Sequence, residues 1–297
     1  MTGAERGFLL LTSHLGDPTR PVLTTAQFRM LADRVSHAAV PPDDRELRIS
    51  DLISLGYGRD MAGRILRLLA EEDLLRHYLS RGKRLDCVPV TRVTEDYPLI
   101  LRQRLGLDSP GTLWAKGDLS LLNPPAIALV GSRELREENR AFAEAVGYQA
   151  AVQGLTLISG NARGADMTAQ KACLDAGGCV ISVVADELAA HRNRERVLYL
   201  SEEDFDAPFS AQRALSRNRV IHALGEKTFV AQCNCGFGGT WDGTVKNLRN
   251  RWSDVYCFHD GSEAMRLLEQ MGANPVDMDA LASFYDLQKK EDNLFDH

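Results

Sequence analysis

Five apolar residues, Ala126-Ile127-Ala128-Leu129-Val130, run without a polar break and stop at Gly131-Ser132-Arg133. A short apolar run closed by a turn signal reads as a strand buried on both faces. Such strands belong to parallel sheets covered by helices on each side. A Gly at the carboxyl end of the first strand, followed by a helix, is where open α/β sheets bind anions. Ser132 and Arg133 add a hydroxyl and a fixed positive charge at that spot. The stretch therefore predicts a docking point for phosphate groups, of a nucleotide or of a polynucleotide.

From this strand onward, strand and helix patterns alternate. Further strands are expected at 155–159, 179–185, 227–233 and 254–259, and an earlier short one at 112–117. Helices are expected at 137–153, after Asp166 to about 176, and at 213–224, 244–251 and 263–271. Residues 191–200 read as a basic helical piece and 201–208 as an acidic loop. Short linkers and regular alternation specify a doubly wound, mostly parallel sheet with right-handed crossovers.

Three Gly-bearing turns follow three of these strands: Gly131-Ser132-Arg133, Ser159-Gly160 through Arg163-Gly164, and Gly236 through Gly243. In a parallel sheet all three lie on one edge, each opening a helix whose free N–H groups carry partial positive charge. Phosphates are expected on the turn amides at Gly131, Gly160 and Gly239, with Thr240 beside the last. Arg133, Arg163, Arg217 and Arg219 would supply charge, and Asn218 lies between the last two. Arg is the side chain suited to bidentate phosphate contact. The alternative is that Arg163 and one of the Arg217 and Arg219 pair bridge Asp166 or other carboxylates to hold the turns. Asp166, at a helix start, is expected to be structural support. Phe209, Phe237 and Trp241 are the candidates for stacking on a base.

The excluded classes are equally informative. There is no G-x-G-x-x-G at the first turn and no Walker motif, so neither a dinucleotide dehydrogenase nor a P-loop enzyme is expected. His191, His222 and His259 stand isolated, and no general acid–base pair can be assigned, which argues against an enzyme. Cofactor and metal are both expected to be none; the one close cysteine pair, Cys233-Asn234-Cys235, lacks a second ligand pair. With a formal charge of -6, any positive surface must be local. No apolar run is long enough for a membrane span or a signal core, so a cytoplasmic protein is expected.

The 297 residues divide, on this reading, into a helical module at 1–88, a Rossmann-like domain at 89–275 and a short polar tail at 276–297. Pro41-Pro42-Asp43-Asp44 breaks the module, and Leu55-Gly56-Tyr57-Gly58 makes a tight turn between two helices. Helix, Gly turn, helix is the shape of a helix-hairpin-helix or SAM-like module.

Asp96-Tyr97-Pro98, Trp114-Ala115-Lys116-Gly117, Gly131-Ser132-Arg133, Ser159-Gly160 with Ala162-Arg163-Gly164-Ala165-Asp166, and Ser216-Arg217-Asn218-Arg219-Val220-Ile221 occur in this order. Together they resemble the DNA-processing protein A family (DprA, also called Smf), over roughly 93–275. The resemblance implies an extended Rossmann-like fold that binds single-stranded DNA and hands it to the RecA recombinase during DNA uptake in natural transformation (competence). It carries the DNA-binding Arg of G-S-R onto Arg133, and points to basic residues after the third strand, a region that holds Arg192, Arg194 and Arg196. The family commonly forms homodimers. The chain departs from the family pattern at Ala231-Gln232, at Gly238–Thr244 and at His191-Arg192, which marks a divergent branch. The alternative is a sensor or enzyme of the same superfamily that binds a nucleotide or a nucleotide-derived signal.

Overall fold

The computed structural model describes residues 1–38 and 47–287; the break expected at Pro41–Asp44 lies outside them. Among the described residues one sheet carries nine strands: β1 (Cys87–Thr91), β2 (Thr112–Lys116), β3 (Ala126–Val130), β4 (Thr156–Ser159), β5 (Val180–Val183), β6 (Val197–Ser201), β7 (Lys227–Val230), β8 (Asp254–Phe258) and β9 (Asn274–Val276). Their order across the sheet is β1-β2-β6-β5-β4-β3-β7-β8-β9. From β6 to β9 every pair is parallel, and only β2 runs the other way, antiparallel to both β1 and β6.

The helices are α1 (Gly3–Thr12), α2 (Thr25–Ser36), α3 (Ile49–Ser54), α4 (Arg59–Leu69), α5 (Glu72–Arg84), α6 (Leu99–Leu105), α7 (Glu137–Val152), α8 (Ala165–Asp175), α9 (Ala211–Ser216), α10 (Asn218–Leu224), α11 (Gly239–Asn250) and α12 (Glu263–Gln270). On one sheet face, Phe142 and Val146 of α7 and Ala169 and Cys173 of α8 pack against Ile127 and Leu129 of β3. On the other, Val220 of α10, Trp241 of α11 and Met265 of α12 pack against Ala126, Ala128 and Val130 of the same strand. Alternate β3 side chains thus enter two separate cores, as the unbroken apolar run requires. The chain winds one way through β3, β4 and β5 and the other way through β7, β8 and β9. The winding reverses between β3 and β7, and ligands of open α/β sheets bind at the carboxyl ends of the strands at such a reversal.

Several sequence expectations need correction. Residues 191–200 are not helical: Val197–Ser201 form β6, buried along its length. The run of arginines before it reads as a polar helix face, yet buried parallel strands need only a short apolar run, and Val-Leu-Tyr-Leu supplies it. The helix at 213–224 is two, α9 and α10, parted at Arg217. The first residues, to which no element is assigned from sequence, form α1, opened by a reciprocal capping box between Thr2 and Glu5.

The expected division at 88/89 falls inside β1. Leu9 and Leu10 of α1 and Leu75 and Tyr78 of α5 belong to the same core as β3, α7 and α8. Tyr78 stacks on Phe205 with ring centroids 4.6 Å apart, and both meet Trp114 of β2 edge-on. The Tyr78 hydroxyl donates to Asp206 at 2.7 Å. The tail also folds back, with Val276 in β9 and Phe284 fully buried in that core.

Candidate nucleic-acid interface

The turn after β3 is stitched to the turn after β7. Ser132 donates both its amide, at 2.8 Å, and its hydroxyl, at 3.2 Å, to the Gln232 carbonyl. The Gln232 side chain returns the link, accepting from the Arg136 amide and donating to the Glu134 carbonyl. Thr240, in the first turn of α11, donates to the Gly131 carbonyl at 3.0 Å. Ser132 and Thr240 therefore spend their hydroxyls on framing the crevice.

The turn after β4 lies directly on this frame. Gly164 has φ +82, and a Cβ there would stand 2.4 Å from the carbonyl oxygens of Ser132 and Arg133. Only glycine permits both the left-handed backbone and the approach. Asp166 accepts the amides of Gly160 and Ala162 at 3.1 and 3.2 Å. Burial pushes its carboxyl up from the ordinary range, against the pull of Arg217, these amides and Arg133. Ser159 lies wholly inside, its hydroxyl accepting from Gln170 at 2.6 Å, so only its backbone borders the turn.

Arg217, at the break between α9 and α10, is buried and donates to the Gly160 carbonyl at 2.8 Å. Its Nε has no partner among the described residues. Arg133, Gly160, Arg163, Asp186, Phe209 and Arg217 surround a cleft of about 160 Å³. Arg133 and Arg163 are exposed at its rim, and no hydrogen bond or ion pair engages either guanidinium among the described residues. Two free cations above a buried third suit an anion that arrives from solvent.

The structure divides the predicted residues rather than gathering them all. Asn218, Arg219 and Gly239 line a separate hollow of about 800 Å³. There the Arg219 guanidinium pairs with Glu202 at 2.5 Å and donates to the Ser216 carbonyl and hydroxyl. Asn218 holds the α11 entrance through the Gly239 carbonyl at 2.9 Å. Of the three aromatics, Phe209 is 58% exposed and reaches the cleft, whereas Phe237 is 65% exposed and does not line it. Trp241 is buried in the core as a helix-face residue with Thr244 and Asn247, which corrects its reading as a stacking platform.

Two residues of the site carry no sequence signal of their own. Gln232 marks a departure from the family pattern and turns out to be the clamp between turns. Asp186, just after β5, accepts from His191 Nε2 at 2.9 Å, while the imidazole stacks on Tyr199. That bond holds the Asp186 carboxyl below its usual range.

Fold and site together define a doubly wound α/β protein with a cationic cleft at the carboxyl ends of β3, β4 and β5, beside its switch point. The chain belongs to the DNA recombination-mediator protein A family, whose model matches residues 89–241. It is 29% identical to the DNA processing protein DprA of Streptococcus pneumoniae over 257 residues, which cover 81% of this chain and 88% of that one. It is 31% identical to Protein Smf of Escherichia coli over 136 residues, 42% of this chain but only 36% of Smf. The X-ray structure of the Streptococcus pneumoniae protein superposes with a TM-score of 0.70 at 24% identity, covering 93% of this chain and 95% of that one. A structure giving insight into the unique single-stranded DNA binding mode of the Helicobacter pylori protein matches at TM-score 0.55 and 19% identity, over 66% of this chain and 94% of that one. These relatives are DNA-processing proteins, and no helix among the described residues is long and apolar enough to cross a membrane.

Proposed function

We propose that the chain binds single-stranded DNA in the cleft at the carboxyl ends of β3, β4 and β5, and delivers it to a RecA-type recombinase during DNA uptake. The observation that carries the reading is the pair of unengaged arginines, Arg133 and Arg163, at the rim of a cleft floored by buried Arg217. Backbone phosphates would bridge the rim, and Phe209 would stack on a base. Family membership and the single-stranded DNA binding of the Helicobacter pylori protein support the choice of ligand. RecA and a homodimer enter on the same family footing.

The test is a titration of a labelled single-stranded oligonucleotide against native protein and Arg133→Ala. The substitution is expected to weaken binding at least tenfold and to make the salt dependence shallower by about one unit of log–log slope. Unchanged affinity overturns the assignment. Competition by a mononucleotide at micromolar concentration, with no oligonucleotide binding, transfers the site to a nucleotide sensor.

A further inference from the structure

The cleft holds one group that a phosphate site does not need. Asp186 lines it among three arginines and feels the charge of buried Arg217, yet it makes no ion-pair contact with any of them; its only such contact among the described residues is with His191. The His191 side chain is largely buried and fixed by its stack on Tyr199, while the Asp186 side chain is half-exposed. A carboxylate has only acceptors, so Nε2 of His191 carries the proton and donates to Oδ1. Among the described residues, no other residue donates to Oδ2. An anion held still inside an anion-binding cleft opposes phosphate, unless it serves another part of the ligand. Phe209 lines the same cleft with its ring exposed.

We propose that Asp186 is the base-selecting residue of this cleft: its Oδ2 accepts a hydrogen bond from an amino-bearing base stacked on Phe209, and so favours cytosine over thymine. The inference rests on the DNA-binding reading above and adds a preference to it. Cytosine offers the N4 amino group as donor. Thymine offers O4 at the corresponding position, and two acceptors facing each other repel. The arginines hold phosphate whatever the base, so the preference resides in one contact. His191 is the positioning residue: it fixes which carboxylate oxygen faces the base.

The experiment compares oligo-dC and oligo-dT of equal length, two pyrimidine strands of similar stacking strength. Native protein is expected to bind oligo-dC roughly fivefold more tightly, the scale of one ordinary hydrogen bond after the exchange with water. In Asp186→Asn the amide offers donor and acceptor alike, and the ratio is expected to fall within about twofold. A ligand-side variant leaves the protein untouched: oligo-dC built with N4,N4-dimethylcytosine is expected to bind no better than oligo-dT. Equal native affinities overturn the proposal alone. So does an Asp186→Asn protein that binds both strands more tightly with the ratio unchanged, because the carboxylate would then act only on phosphate. Failure of native protein to bind either strand removes the DNA reading and this assignment with it.

Discussion

Arg217 donates its Nη2 proton to the Gly160 carbonyl, and a Cβ on residue 160 would fall 1.5 Å from the Nη1 of the same guanidinium. The buried cation is seated on a glycine that has room for nothing else. Asp166 meets the same turn from the helix side, so cation, turn and carboxylate form one unit.

Replacement of Gly160 by Ala is therefore expected to destabilise the fold by about 3 kcal/mol, from overpacking and from a displaced buried charge. Arg217→Met, which keeps the stem and removes the charge, is expected to cost a similar ~3 kcal/mol, because Asp166 loses its counter-ion. Urea unfolding measures both. A Gly160→Ala midpoint equal to that of native protein would show that the guanidinium has somewhere else to go.

Arg219 is expected to behave unlike Arg133. Its partner Glu202 is nearly buried, and burial pushes that carboxyl up against the pull of Arg219. Arg219→Ala should lower stability by about 1–2 kcal/mol while leaving oligonucleotide affinity within about twofold. Chemical unfolding and fluorescence anisotropy on the same preparation separate the two effects.

Phe209 and Trp241 form a matched contrast. Phe209→Ala should weaken oligonucleotide binding by about 1–3 kcal/mol with little change in stability. Trp241→Ala should cost about 3–5 kcal/mol of stability through the cavity it leaves. Both ring deletions go through the same pair of assays.

His222 gives a pH signature. Burial, aided by Arg217, lowers its pKa from 6.5 to about 3. Asn247 donates to its Nδ1 at 3.1 Å, which suits a neutral ring. The folded state excludes a proton that the unfolded chain accepts below about pH 6.5. Its stabilising contribution is complete above that pH and is lost as pH falls toward the folded value, at up to ~1.4 kcal/mol per unit. Denaturant titrations between pH 7 and pH 4 should show this slope in native protein. The His222→Gln slope should be flatter.

The central strand, the Gly turns and the winding of the sheet were legible in the sequence because each follows from local rules. An apolar run makes β3, and glycine stands where Arg133 and Gly164 must meet. The division of labour among the arginines was not legible. Arg133, Arg217 and Arg219 have the same chemistry, and only the positions of Gly160 and Glu202, far away in sequence, make one free, one buried and one paired. Trp241 failed for the same reason: its neighbours looked like a loop, and the helix that buries it begins only two residues earlier, at Gly239. Strand β6 was hidden by the arginines before it. Helix α1 did leave a signal, the Thr2 and Glu5 spacing ahead of an apolar run.

The hairpin at the sheet edge sets a schedule for synthesis. Trp114 of β2 aligns with Ser201 of β6, while β3, β4 and β5 lie between them in the chain. The amino-terminal helices that share a core with Trp114 and Phe205 cannot close that core until β6 has left the ribosome. At ordinary translation speed that is a delay on the order of ten seconds. During it Leu9, Leu75 and Tyr78 face solvent or a chaperone. The segment made first thus waits for one made much later before its apolar side chains are covered.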